Sequence, residues 1–144
     1  MSFHYGLPRT TGDIDYYSAI PANTQINDFA GRGSELHKKY KVYLQRVTVT
    51  TLPEDYDSRL VDMFPGRFKQ LQLLAPDPYD LILSKIERNG DKDRHDANYL
   101  FKTLKLDARV LRDRYAKELR PNLLNPHWPD MDIEHWIEMF EETP

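Results

Sequence analysis

The residues best suited to chemistry in this 144-residue chain are the two carboxylates of the triplet Asp13-Ile14-Asp15. On a strand, positions i and i+2 project from one face, so the two acids stand side by side. Like charges that close repel one another unless a cation lies between them. Magnesium suits that place, because it takes one or two carboxylates together with substrate phosphates. The run ahead of the pair carries Gly6, Arg9, Thr10 and Thr11, and such a cationic, hydroxyl-bearing loop is suited to phosphate. The triplet therefore reads either as a magnesium–nucleotide site or as the solvated end of a strand.

A second anomaly is Lys85. Leu81, Ile82 and Ile86 mark the buried stripe of a helix, and Lys85 falls inside that stripe. Lysine is seldom buried without a partner, so it either packs its stem and pairs with an acid or offers its ammonium group to a phosphate or carboxylate. The following DKDRHD run supplies the acids, since Asp93 and Asp96 extend the apolar stripe of the next helix backwards, by the steps to Ala97 and Leu100. Acids at a helix N-terminus are favoured by its dipole alone. An inward Lys85 facing inward acids is then either a structural ion pair or part of a site.

Other chemistries find no support. Five histidines show no HxH or HExxH spacing, the serines lack a nucleophile elbow, and the absence of cysteine removes disulfide, thiolate and zinc-finger chemistry. No apolar run approaches the ~18 residues of a membrane span, and the start MSFHYGLPRT has no signal-peptide core, so a cytoplasmic location is expected. The net charge of −3 is unevenly spread: Pro121 to Pro144 holds six acids and no Lys or Arg, leaving the first 120 residues at +3. Within them Arg32 to Arg46 has five basic residues against one acid and Lys85 to Arg120 eleven against seven; this modestly basic body reads as solvated helix faces or as able to accept a phosphate-bearing partner on one face. Trp128 and Trp136, in the acidic tail, are expected to pack against the body.

The elements that must position these groups follow from pattern. Asp13 to Ser18 is a short strand with Ile14 and Tyr16 on one face. A helical stretch from about Asn23 to Tyr40 breaks at Gly31 and Gly33 and restarts at Ser34, an N-cap. Val42 to Leu52 is the clearest strand, Phe68 to Leu74 a weaker one, and the segment between them a connection. Helices are expected from Asp77-Pro78 to Arg88, from Asp91 to Lys105 with Ala97, Leu100, Phe101 and Leu104 inward, from Asp107 to Pro121, and from Asp132 onward. The chain is long enough for one domain, residues 1–144, with an acidic helical tail over 121–144. Strands first and helices after predict an α+β fold.

The run YGLPRTTGDID (residues 5–15) resembles the catalytic signature of small nucleotidyltransferase-fold proteins related to the AbiEii-type toxins, and more closely that of an uncharacterised bacterial nucleotidyltransferase-like family. The matching positions are Gly6, Pro8, Arg9, Thr11, Asp13 and Asp15. LAPDPYDLILSKIERNGDKDRHDANYL (74–100) is similar to the later block of that family, as are LDARVLRDRYAKELRP (106–121) and the IEHWIEMF tail. The three blocks occur in the expected order across most of the chain.

The resemblance implies a small mixed sheet of the nucleotidyltransferase type with a helical C-terminal half. It makes Asp13 and Asp15 ligands of Mg²⁺ holding a nucleoside triphosphate, with Gly6, Arg9 and Thr11 near the phosphates. Lys85 would contact the nucleotide, and Asp93 or Asp96 would be the late acidic motif. The implied activity is transfer of a nucleoside monophosphate to an RNA or protein acceptor. Two departures favour the alternative of an inactive relative, serving as an interaction or toxin–antitoxin regulatory module with a partner protein. The Gly-Gly or Gly-Ser helix that precedes the family motif has no counterpart after Met1. The strand expected to carry a third carboxylate has Thr48 and Thr50 instead, with Asp55 and Asp57 just beyond.

Overall fold

The computed structural model describes residues 5–6, 12–20 and 25–142. It is a mixed α and β structure, about half helical, and it divides into two compact units, residues 1–49 and 50–144. Among the described residues the strands form two separate two-stranded sheets, one parallel and one antiparallel, where the sequence predicted one mixed sheet.

The first unit is a parallel strand pair with a helical crossover. Strand β1 (Asp13–Tyr16) lies beside β2 (Tyr43–Arg46), in the register Asp13 to Tyr43 and Tyr16 to Arg46. Parallel neighbours need a crossover of a dozen or more residues, and α1 (Gln25–Ala30) and α2 (Glu35–Tyr40) provide it. The break between them falls at the glycines, and Ser34 caps α2 by accepting the His37 N–H at 3.1 Å. β2 is far shorter than the predicted 42–52. Its ladder ends where Val47 N–H donates to Tyr16 O at 2.9 Å, and beyond that point β1 offers no partner. The β-branched run that follows leaves Val49 93% exposed, an instance of strand propensity without a surface to pair with.

The second unit holds the core. β3 (Val61–Asp62) pairs antiparallel with β4 (Leu74–Ala75). β3 arises inside the expected connection, and most of the predicted strand 68–74 is exposed loop. Helix α3 (Pro78–Leu83) starts as expected, with the Asp77 carboxylate accepting the Asp80 N–H at 2.8 Å and Pro78 at the first helical position. It ends earlier than Arg88. Ser84 Oγ donates to Leu81 O at 2.7 Å, competing for a helix carbonyl, and the chain continues in tighter turns, Lys85 N–H to Ile82 O and Ile86 N–H to Leu83 O. These close at Asn89, whose φ of +44° suits an Asn.

Helix α4 (Asp91–Thr103), α5 (Ala108–Arg114) and α6 (His127–Glu142) complete the unit. After α5 the chain widens into π turns over Tyr115–Leu119 and tightens over Arg120–Asn122. The predicted inward residues of α5 and α6 are buried, among them Leu111, Leu119, Ile133, Ile137 and Trp136. Phe101 stacks on Phe140 with centroids 4.8 Å apart, and Trp136 Nε1 donates to Asn89 Oδ1 at 2.9 Å. Leu104, at the end of α4, is part-exposed rather than inward. α6 begins five residues before the predicted cap Asp132, because Pro126 O accepts the Asp130 N–H at 2.8 Å and Pro129 is tolerated in a first turn. Trp128 on that turn is exposed, contrary to expectation.

Candidate functional site

Asp13 and Asp15 lie on β1 and share a face by its pleat, with Tyr43 and Gln45 beside them in the register of β2. Asp13 is half-buried and Asp15 exposed. The pair is pinned at both ends by backbone bonds, Tyr43 N–H to Gly12 O at 3.1 Å and Val47 N–H to Tyr16 O. On the opposite face Tyr16 reaches α1, its hydroxyl donating to Asn27 Oδ1 at 2.9 Å. Gly6 sits in a turn with φ +68°, and Arg9 and Thr11 lie outside the described residues.

Among the described residues no three His, Asp or Glu side chains group so as to hold a metal ion. Two carboxylates on one strand face are still a fitting donor set for magnesium that fills its shell with phosphate oxygens and water. They do not make an all-protein cage. Thr48 and Thr50 fall past the end of β2, and Asp57 lies in a 3₁₀ turn of the second unit, Tyr56–Arg59, preceded by Asp55.

Lys85, Asp93 and Asp96 come together in the second unit. Lys85 Nζ lies 3.5 Å from Asp93 Oδ1 and 3.6 Å from Asp96 Oδ2, with both acids almost fully buried. Arg88 adds a fork on Asp93, Nε donating to Oδ2 at 2.7 Å and Nη2 to Oδ1. The Gly90 N–H donates to Asp93 Oδ2 at 3.1 Å, closing the N-terminus of α4. Burial pushes the Asp93 carboxyl up, but the Arg88 bond, the Lys85 charge and the Gly90 N–H together hold it below the ordinary carboxylate range. The inward lysine of the sequence pattern is thus ion-paired with the two inward acids.

A second ionic network went unrecognised in the sequence. Asp80 on α3 is fully buried, and Arg59 forks onto it, Nε to Oδ2 at 2.9 Å and Nη2 to Oδ1 at 3.0 Å. Arg59 also donates to Glu118 Oε2 at 2.5 Å, while Arg114 Nη1 bridges Asp77 at 2.7 Å and Asp80 at 3.1 Å. Burial pushes the Asp80 carboxyl above its ordinary range against the pull of Arg59, and the bond to Asp80 raises the Arg59 guanidinium further. The signal was present as Asp80 directly before the apolar run Leu81-Ile82-Leu83, one turn after the cap Asp77. Its partners come from distant segments, so no spacing rule links them.

A parallel strand pair with two carboxylates on one face, followed by a helical unit stapled by buried ion pairs, defines a small α-and-β protein with an acidic strand site. The chain belongs to the family described as "Nucleotidyltransferase of unknown function (DUF6036)", which it matches over residues 1–141. The match runs across both units and agrees with the nucleotidyltransferase-like resemblance of the sequence blocks. No curated protein and no solved structure matches the chain. No helix among the described residues is long and apolar enough to cross a membrane.

Proposed function

We propose that this protein binds a magnesium–nucleoside triphosphate at Asp13 and Asp15 and transfers the nucleoside monophosphate to an RNA or protein acceptor. The observation that carries the reading is the pair of carboxylates on β1, in a chain that matches a nucleotidyltransferase family over residues 1–141. In such a transfer an acceptor oxygen forms a bond to the α-phosphorus, and the bond to the β-phosphate oxygen breaks, releasing pyrophosphate. Magnesium, when bound, supplies the positive charge that stabilises the phosphoryl group in transfer. Asp13 and Asp15 would hold it, the strand register fixing the backbone positions from which the two carboxylates project.

The sequence blocks support Gly6, Arg9 and Thr11 as phosphate contacts, and Lys85 with Asp93 or Asp96 as the nucleotide-side motif. The ion pairs of Lys85 support a structural duty for that cluster as well. The relation to AbiEii-type toxins, a partner protein and a cytoplasmic setting rest on the sequence motif and composition alone. The single domain over 1–144 rests on chain length.

The test is pyrophosphate release from each of the four nucleoside triphosphates with magnesium and total RNA or protein as acceptor. Release by the wild type that disappears in Asp13→Asn/Asp15→Asn is expected. Equal release by both would remove the two carboxylates from the reaction.

A further inference from the structure

The first unit contains an open cleft of about 350 Å³ along the edge of β2, lined by Arg32, Arg46, Tyr43, Gln45, Leu44, Asn27 and Gly31. Among the described residues no carboxylate lines it. In the second unit every arginine except Arg67 is ion-paired with an acid. Arg32 and Arg46 have no carboxylate partner among the described residues, although they come from different elements and converge on one cleft. Arg32 instead lies over the Tyr43 ring, 5.9 Å from its centroid. Within the basic run Arg32 to Arg46, Lys38 is neutralised by Glu35 at 2.6 Å, so the uncompensated arginines are the two in the cleft.

The backbone adds donors. Tyr43 and Val47 direct their N–H groups at β1, and by strand alternation those of Leu44 and Arg46 point away from it, towards the cleft edge. Gly31 lets the chain turn tightly against the end of α1: a Cβ there would stand 2.3 Å from Asn27 O. Two guanidinium forks, amide side chains and outward backbone N–H groups form a donor-rich surface of one sign, and phosphate oxygens match it.

We infer that this cleft binds the phosphate chain of a nucleotide through Arg32 and Arg46. The inference rests on the nucleotidyltransferase reading for its choice of ligand, and it concerns residues separate from the Asp13/Asp15 motif. β2 is hydrogen-bonded to the strand that carries those carboxylates, so both features belong to one strand pair. The two arginines, one from the turn between α1 and α2 and one from β2, add to the phosphate contacts that the sequence blocks support at Gly6, Arg9 and Thr11.

Calorimetric titration of inorganic tripolyphosphate in the absence of magnesium separates the two readings. The proteins compared are the wild type, Arg32→Gln/Arg46→Gln and Asp13→Asn/Asp15→Asn, with circular dichroism as a check on folding. Wild-type binding that weakens at least about tenfold in the arginine variant and persists in the Asp variant is expected. That outcome supports the cleft even if no transferase activity is found. Binding by a folded arginine variant at wild-type strength, or no binding by the wild type, overturns it. Arginine-dependent binding of single-stranded RNA without any binding of tripolyphosphate also overturns it, by assigning the cleft to an acceptor backbone. Because Arg32 and Arg46 are exposed, their replacement leaves the fold intact; Arg32→Lys/Arg46→Lys keeps the charge, loses the fork and is expected to bind at intermediate strength.

Discussion

Lys85 Nζ stands 3.5 Å from Asp93 Oδ1, inside a helix junction where both side chains are largely shielded from water. A lysine so placed compensates buried acid before it can serve a ligand, and Asp96 at 3.6 Å shares the same ammonium group. Lys85→Met is therefore expected to destabilise the fold by roughly 1–3 kcal/mol, the cost of leaving buried acceptors short of a donor. Asp93 retains Arg88, which limits the loss. Urea unfolding checks this, and a variant as stable as wild type would show that the ion pairs hold nothing.

The Arg59–Asp80 fork gives a larger prediction. Arg59→Ala takes the forked partner from a fully buried carboxylate and leaves it Arg114 at 3.1 Å, so the expected cost is about 3 kcal/mol. Adding Asp80→Asn removes the under-compensated charge, so the double variant should recover part of that loss. Thermal unfolding of the two singles and the double closes the cycle. Additive losses would mean that the two side chains do not act as a pair.

Asp93 also sets a pH dependence. Its folded-state ionisation is held below the ordinary carboxylate range, so its stabilisation is present above the unfolded value, about 3.9, and is lost as pH falls through the lower folded value. Stability should fall on acidification below about pH 4, and less steeply in Asp93→Asn. Denaturant midpoints between pH 2.5 and 6 for the two proteins measure the difference. Parallel curves would assign acid sensitivity to other groups.

Gly31→Ala tests the wall of the β2 cleft. Its Cβ would press on Asn27 O at 2.3 Å, so the end of α1 must shift, at about 1–3 kcal/mol. Amide exchange should rise in residues 25–46 and stay unchanged in α4 and α6. Uniform protection across both units would show that the backbone absorbs the methyl group freely.

The helices were largely legible in the sequence because their signals are local. Ser34 and Asp77 cap where they were expected to, and Ile133, Trp136, Ile137 and Phe140 face inward at helical spacing. The strands were less legible, since a strand exists only with a neighbour. Residues 47–52 have the composition of one and no partner, whereas Val61–Asp62 pair although nothing in their types announces it. The Asp13/Asp15 face and the inward Lys85 followed from periodicity alone. The Arg59–Asp80–Arg114 network and the Arg32/Arg46 cleft did not, because each joins residues from separate segments, and only folding shows which cations find an acid.

The most direct measurement of the central claim is calorimetric titration of the four nucleoside triphosphates with magnesium into the wild type and into Asp13→Asn/Asp15→Asn. Magnesium-dependent binding of at least one triphosphate by the wild type, lost in the Asp variant, is the predicted result. A folded wild type that binds none of the four, or an Asp variant that binds as well as wild type, would contradict it.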